Sequence, residues 1–184
     1  GDDPVKLGLV AGLNRPMRNL TGVTFVTTEL GAKRLEALYE LVPSASVSAF
    51  LLNPRFEDAA PQARAMQAAA RSHGRRLIVL EASTEAQIAT SFATLSRERV
   101  GALVVQNDAF FDSQRNQLVA LASRNSIPAI YHIREFPAAG GLMSYGASLA
   151  EAYRQVGIYA GRILKGASPG ELPVEQPTRF EMVI

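Results

Sequence analysis

Short apolar runs alternate along this chain with longer stretches in which apolar residues recur at the spacing of a helix face. Each run is rich in valine, isoleucine or leucine and carries almost no polar residue, which is typical of strands covered on both faces of a sheet. The runs that we predict as strands are residues 47–52, 77–80, 102–105 and 128–131.

Amphipathic helices are predicted around and between these strands, at residues 30–41, 61–72, 85–95, 113–123 and 149–165. Two helix starts fit a capping box, in which two residues three positions apart satisfy each other's backbone N–H groups: Thr84 with Gln87, and Ser148 with Glu151. The alternation of strand and helix predicts right-handed crossovers and a parallel sheet. The expected fold class is therefore α/β, with an open doubly wound parallel sheet.

Two segments fit this regular scheme less well. Residues 21–27 are strand-like but precede the first helix, and residues 142–146 are strand-like and follow two glycines. Both are candidate connections to a second unit. Residues 166–177 are rich in proline and glycine and are predicted as a loop that leads to a final strand at residues 178–184.

Polar residues follow each predicted strand. Ligands of open parallel sheets bind beyond the carboxyl ends of the strands, where the loops diverge and helix N-termini offer free N–H groups. The residues at these ends are Asn53, Pro54, Ser83, Gln106, Asn107, Asp108, Phe110, Phe111, His132 and Arg134.

Each of these residues also has a purely structural interpretation, and the pattern alone leaves both open. Asn53 before a proline is an ordinary turn starter, and Ser83 could serve only as a helix cap. Asn107 and Asp108 could satisfy backbone donors of their own loop. The two phenylalanines are typical loop anchors into a core, and His132 is typical of a loop histidine.

Composition excludes several classes of protein. There is no cysteine, which rules out disulfides, thiolate catalysis and cysteine metal sites. The net charge is +2, from 19 basic and 17 acidic residues, and the densest basic cluster, residues 71–76, lacks the aromatic or groove-reading partners of a nucleic-acid site. No apolar stretch reaches the length of about 18 residues that a membrane-spanning helix needs. No signal peptide is visible, and we expect both ends to be cut from something longer.

Catalytic motifs are missing as well. The sequence has no dinucleotide fingerprint, no phosphate-binding loop, no nucleophile elbow and no metal-ligand spacing. Asp108 at a strand end has no base, nucleophile or metal partner in the pattern, so its carboxylate is better suited to hold a ligand than to catalyse. We therefore expect no enzyme activity, no cofactor and no metal.

Several motifs follow one another in an order that resembles a known family. They are DPVKLGLV at residues 3–10, LNP at 52–54, NDAFF at 107–111, AAGGLMSYG at 138–146 and AGRILKG at 160–166. Together they resemble the solute-binding proteins of ABC importers that are grouped with tryptophan- and tyrosine-binding proteins. The resemblance covers essentially the whole chain.

This resemblance implies a type I periplasmic-binding fold, in which two α/β lobes with a flavodoxin-like strand order are joined by crossing segments. Residues 24–141 would then form one complete lobe. Residues 1–23 and 142–184 would supply hinge crossings and partial elements of the other lobe. The family's signal peptide and most of its first lobe are expected upstream of this sequence.

The family's cleft positions fall on Asp3, Asn53, Ser83, Asp108 and Tyr145, and the strand-end argument adds Asn107. An amino-acid ligand would need an anion for its ammonium group, which Asp3 or Asp108 could supply. Hydroxyl or backbone donors at Ser83 would suit its carboxylate. An aromatic side chain would stack on Tyr145 or Phe110. The sequence departs from common members at residues 14–19 and at Ala109, so it leaves the ligand open.

The function expected from the resemblance is that of an extracytoplasmic solute-binding component of an ABC importer, periplasmic or lipid-anchored. Its partners would be a small molecule and the permease subunits in the membrane. Two alternatives remain open at this point: the ligand-sensing domain of a transcriptional regulator with the same fold, and a flavodoxin-like enzyme. A homodimer of this piece is a further expectation that the sequence does not decide.

Overall fold

A computed structural model describes residues 3–25, 30–177 and 179–184 of the chain. Its helices are α1 (Leu30–Leu41), α2 (Ala59–Ser72), α3 (Glu85–Arg97), α4 (Ala109–Ser113), α5 (Arg115–Arg124), α6 (Glu135–Ala138) and α7 (Leu149–Leu164). Its strands are β1 (Val47–Leu52), β2 (Arg76–Glu81), β3 (Ala102–Val105), β4 (Ala129–Tyr131), β5 (Met143–Ala147) and β6 (Phe180–Val183), and a short 3-10 helix covers Pro169–Glu171.

The chain divides into two compact units. Unit 1 comprises Gly1–Thr27 and Ala147–Phe180, and unit 2 comprises Thr28–Gly146 and Glu181–Ile184. Unit 2 contains α1 to α6 and most of the sheet, whereas unit 1 contains α7 and the long irregular segments. The lobe predicted for residues 24–141 stays a prediction.

The strands form one sheet in the order β2-β1-β3-β4-β5-β6. Neighbouring strands from β2 to β5 run parallel, and Phe50 of β1 lies opposite both Val79 of β2 and Val104 of β3. The first five positions follow the flavodoxin-like order 2-1-3-4-5. This order confirms the predicted α/β class with its open parallel sheet.

Helices cover both faces of this sheet. Successive residues of a strand point to opposite faces, so each central strand buries side chains under the helices on both sides. Phe50 and Leu52 of β1 pack in one cluster with Leu38 of α1 and Met66 of α2. The intervening residues of β1, among them Leu51, are equally buried but belong to the other face. There α3 contacts α5. The sheet is therefore doubly wound, as predicted.

The predicted elements differ from the observed ones mainly where a segment is short. The strand-like segment predicted at residues 142–146 corresponds to β5, in which Ser144 lies opposite Tyr131 of β4. Residues 21–25 form only an isolated bridge, from Val23 to Glu175. The remaining two residues of that predicted strand, and Thr178 of the predicted final strand, lie outside the described residues.

Unit 1 is held together around the backbone of Glu175. Its N–H donates to the carbonyl of Gly22 at 2.9 Å, and its carbonyl accepts the N–H of Thr24 at 2.9 Å. Tyr159 of α7 donates to the carbonyl of Pro173 at 2.9 Å, which ties the helix to the same segment. Within the ranges that the structure describes, no helix is long and apolar enough to cross a membrane.

Candidate functional site

The strand order brings polar residues to one edge of the sheet in unit 2. Parallel strands end at the same edge, so the segments that follow β1, β3 and β4 are neighbours there. Asn53 follows β1, the segment from Gln106 to Asp108 follows β3, and His132 follows β4. The outer positions of this edge belong to Ser83, after β2, and to Tyr145, within β5.

Asn53 and Gln106 bond to each other across β1 and β3. The side-chain carbonyl of Gln106 accepts the backbone N–H of Asn53 at 2.7 Å, and its amide donates to Gln62 of α2 at 3.1 Å. Gln106 is only 2% exposed. This buried glutamine, itself anchored by Gln62, therefore fixes the backbone N–H of a candidate ligand residue, a role that the sequence did not reveal.

Asp108 joins this network through one oxygen. Its Oδ1 accepts the side-chain amide of Asn53 at 3.1 Å and the backbone N–H of Phe110 at 3.0 Å, the second bond capping α4. The Asn53 side-chain oxygen accepts the N–H of Arg55 at 3.1 Å, as in a turn. Asn53 therefore begins a turn and Asp108 satisfies a backbone donor of its own loop, which are the structural roles that the sequence left open. The two residues also lie side by side at the sheet edge. Asn107 lies half-buried beside them.

Ser83 precedes the helix cap rather than forming it. Thr84 is the N-cap of α3 and accepts the N–H of Gln87 at 3.3 Å. The Gln87 side chain accepts the backbone N–H of Ser83 at 2.8 Å and lies 3.1 Å from its hydroxyl. In the predicted capping box the Gln87 side chain accepts the N–H of Thr84. In the structure it accepts the N–H of Ser83 instead, one residue earlier, and the Ser83 hydroxyl also points toward Gln87.

Tyr145 lies in β5 with its side chain half-buried against the core of the face that α1 and α2 cover. Its carbonyl oxygen accepts a hydrogen bond from Nε of Arg34 in α1 at 2.7 Å. Burial lowers the pKa of the Arg34 guanidinium to about 10, an effect that the nearby Tyr145 phenol partly offsets. The sequence signal for Arg34 was available, since this basic residue lies on the apolar stripe of its helix.

His132 lies in the loop after β4, as the sequence suggested, but it is buried there, with 3% exposure. Its Nε2 lies 3.0 Å from the Asp112 carboxylate of α4, and its Nδ1 has no hydrogen-bond partner among the described residues. Burial lowers the pKa of His132, and Arg34 lowers it further, whereas Asp112 acts in the opposite direction. The His132 imidazole that lies next to the carboxyl edge of the sheet therefore favours its neutral form.

Asp3 belongs to unit 1, whereas the other five predicted ligand residues belong to unit 2. Its Oδ1 accepts the N–H of Val5 at 2.9 Å, which closes a local turn. The structure thus brings Asn53, Asn107 and Asp108 together and places Ser83 and Tyr145 on flanking strands of the same edge. In the described part of the chain, no group of three histidine or acidic side chains could hold a metal ion.

Comparison with known proteins adds family evidence to this geometry. The family model described as ABC transporter substrate binding protein matches residues 1–184. A tyrosine-binding protein of Clostridioides difficile is 24% identical over 183 residues, which cover 99% of this chain and 52% of the relative. The chain therefore spans about half the length of that curated relative.

Solved structures show the same fold. A conserved domain protein of Vibrio cholerae superposes with a TM-score of 0.82 at 22% identity, over 99% of this chain and 60% of the other. A Streptococcus pneumoniae ABC domain in complex with L-Trp superposes with a TM-score of 0.80 at 22% identity, over 99% of this chain and 61% of the other. By its family match along the entire sequence, the chain belongs to the ABC transporter substrate-binding proteins.

Proposed function

We propose that this chain is the ligand-binding part of an extracytoplasmic solute-binding component of an ABC importer. The observation that carries the proposal is the row of polar strand ends in unit 2, in a chain of this family whose described residues hold no candidate metal cluster. The protein would hold a small molecule and leave it chemically unchanged.

The ligand that suits these residues is an amino acid with an aromatic side chain. The relatives described as binding tyrosine or L-Trp support this class. Asp108 would accept the ligand ammonium with Oδ2, because Oδ1 already holds Asn53 and Phe110. Asn53 and Asn107 would bond to polar atoms of the ligand, and Ser83 would donate to its carboxylate after its hydroxyl turns away from Gln87.

Tyr145 and Asp3 complete the proposed site. The half-buried ring of Tyr145 offers a flat apolar surface for an aromatic ligand, and such ring pairs contribute about 0.5–1.5 kcal/mol beyond the area that they bury. Asp3 is proposed as a second anion for the ammonium group, supplied by unit 1.

The proposed partners and location follow from the importer role. The ligand-bound protein would dock on the permease subunits in the membrane. It would act outside the cytoplasm, in the periplasm or on a lipid anchor, because an importer collects its solute on that side.

Titration calorimetry of the full-length protein against the amino acids and other small solutes tests this function. We expect one aromatic amino acid to bind with a micromolar or lower Kd. The variant D108N keeps the Oδ1 acceptor that caps α4 but loses the charge, so affinity should fall by about 30-fold or more.

The matched control is D58N. Asp58 precedes α2 in the same unit, and its side chain makes no capping bond. This variant should bind like the wild type. Absence of binding by every solute, or equal losses in D108N and D58N, would contradict the proposed function.

A further inference from the structure

Arg34 is a buried cation that neither the fold nor the proposed ligand contacts explain. It lies in α1 on the same face as Leu30 and Leu38 and is 3% exposed, whereas its neighbour Lys33 is exposed. Among the ion pairs of the described residues, none includes Arg34. Among the described residues, its positive charge is therefore held inside unit 2 without a carboxylate partner.

The contact that Arg34 makes is directed at Tyr145. Its Nε donates to the Tyr145 carbonyl at 2.7 Å and connects two segments that are 111 residues apart in sequence. Arg34 thus holds the backbone of Tyr145 at the point where its side chain leaves the strand.

The segment that contains Tyr145 is also held by strand β4 and the residue that follows it. Ser144 is in register with Tyr131, and the backbone of Gly146 lies so close to His132 that a Cβ there would overlap the His132 carbonyl oxygen. Arg34 approaches the same point, with its Nη2 3.5 Å from the position of that Cβ. The segment from Ser144 to Gly146 is therefore contacted by both Arg34 of α1 and the end of β4.

Stability alone does not account for an arginine here. A buried charge without an opposite charge is unfavourable, and apolar replacements of buried charges are often neutral or stabilising. The depressed pKa of Arg34 is a sign of that desolvation. The arginine is better explained by what its directed hydrogen bond does for Tyr145.

We propose that Arg34 is a positioning residue that fixes Tyr145 and thereby sets the preference of the site for aromatic ligands. This inference rests on the proposed function, in which the Tyr145 ring contacts the ligand. The fork of an arginine holds a carbonyl in a defined direction, which the flexible ammonium group of a lysine does not.

The first test compares ligand preference in R34M, R34K and the matched control K33M of the full-length protein. R34M should lose about tenfold in affinity for L-tyrosine and L-tryptophan, and less than about threefold for L-leucine, because only aromatic ligands use the ring. R34K should fall between R34M and the wild type. K33M removes the same charge one position away and should change nothing. Equal losses for aromatic and aliphatic ligands in R34M would overturn the proposal.

The second test reads the position of Tyr145 directly and does not depend on any ligand. In protein labelled with 3-fluorotyrosine, the line that disappears in Y145F belongs to Tyr145. We expect that ¹⁹F line to shift or broaden in R34M and to stay in place in K33M. An unchanged line in R34M overturns the positioning role. Absence of binding in the wild type would contradict the proposed function separately, and the ¹⁹F line would still decide the role of Arg34.

Discussion

The charge state of His132 depends on burial that no local pattern reveals. The sequence places this histidine after a strand but gives no sign that its ring is covered. The Asn53–Gln106 bond escaped prediction for the same reason, since it joins residues 53 positions apart. Side-chain contacts of this kind follow from the order of the strands, and they can be named only once that order is known.

Acid should destabilise the protein through His132. Its pKa is lowered in the folded state, so below the usual histidine pKa the unfolded chain binds more protons, and stability falls as the pH falls. One group contributes a slope of at most about 1.4 kcal/mol per pH unit. Thermal unfolding between pH 7.5 and 5 should show a smaller loss in H132Q than in the wild type. A pH dependence in H132Q equal to that of the wild type would contradict the assignment.

Long elements were predicted well because hydrophobic periodicity needs several turns to show itself. The helix at Leu30–Leu41 and the strand at Val47–Leu52 have the predicted bounds, and the strand at Arg76–Glu81 differs by one residue at each end. The helices α4 and α6 were missed, since five and four residues cannot display a repeat of 3.6. The strand β5 was recognised as extended but not assigned to this sheet, because pairing partners are not encoded locally.

The close contact between β4 and β5 makes Gly146 irreplaceable. In G146A the new methyl group overlaps the His132 carbonyl oxygen, so the strands must separate, and we expect a loss of about 2 kcal/mol or more. G157A is the matched control in helix α7, where a Cβ meets no atom within 4 Å. It should gain about 0.5–1 kcal/mol from the better helix propensity of alanine. Urea unfolding of both variants measures the difference, and a G146A protein of wild-type stability would refute the contact.

At the scale of the whole molecule, the parallel sheet was predictable and the detail of the division was not. Alternating strands and helices indicated the doubly wound class, and the family resemblance indicated a second unit. The division assigns Gly146 to unit 2 and Ala147 to unit 1, so it falls within β5. A periodicity argument treats a strand as one object and cannot locate a boundary inside it.

Protection from hydrogen exchange should decrease from the centre of the sheet to its β2 edge. Strand β3 is buried along its length and paired on both sides, whereas β2 is paired with β1 alone and is half-buried. Opening is easiest where backbone hydrogen bonds are exposed. We expect the amides of β3 to exchange at least about tenfold more slowly than those of β2. Mass spectrometry of deuterium uptake tests this, and faster exchange in β3 would contradict the strand order.

One carboxylate oxygen, Oδ1 of Asp108, caps helix α4 and also accepts the side-chain amide of Asn53, which follows the neighbouring strand β1. Any protein that keeps this loop must keep an acceptor at that position. Helix starts accept aspartate, asparagine, serine and threonine most readily. Substitution of residue 108 is thereby confined to a choice between a negative side chain and a short neutral one. If the proposed site is correct, changes of ligand size have to be made at other positions.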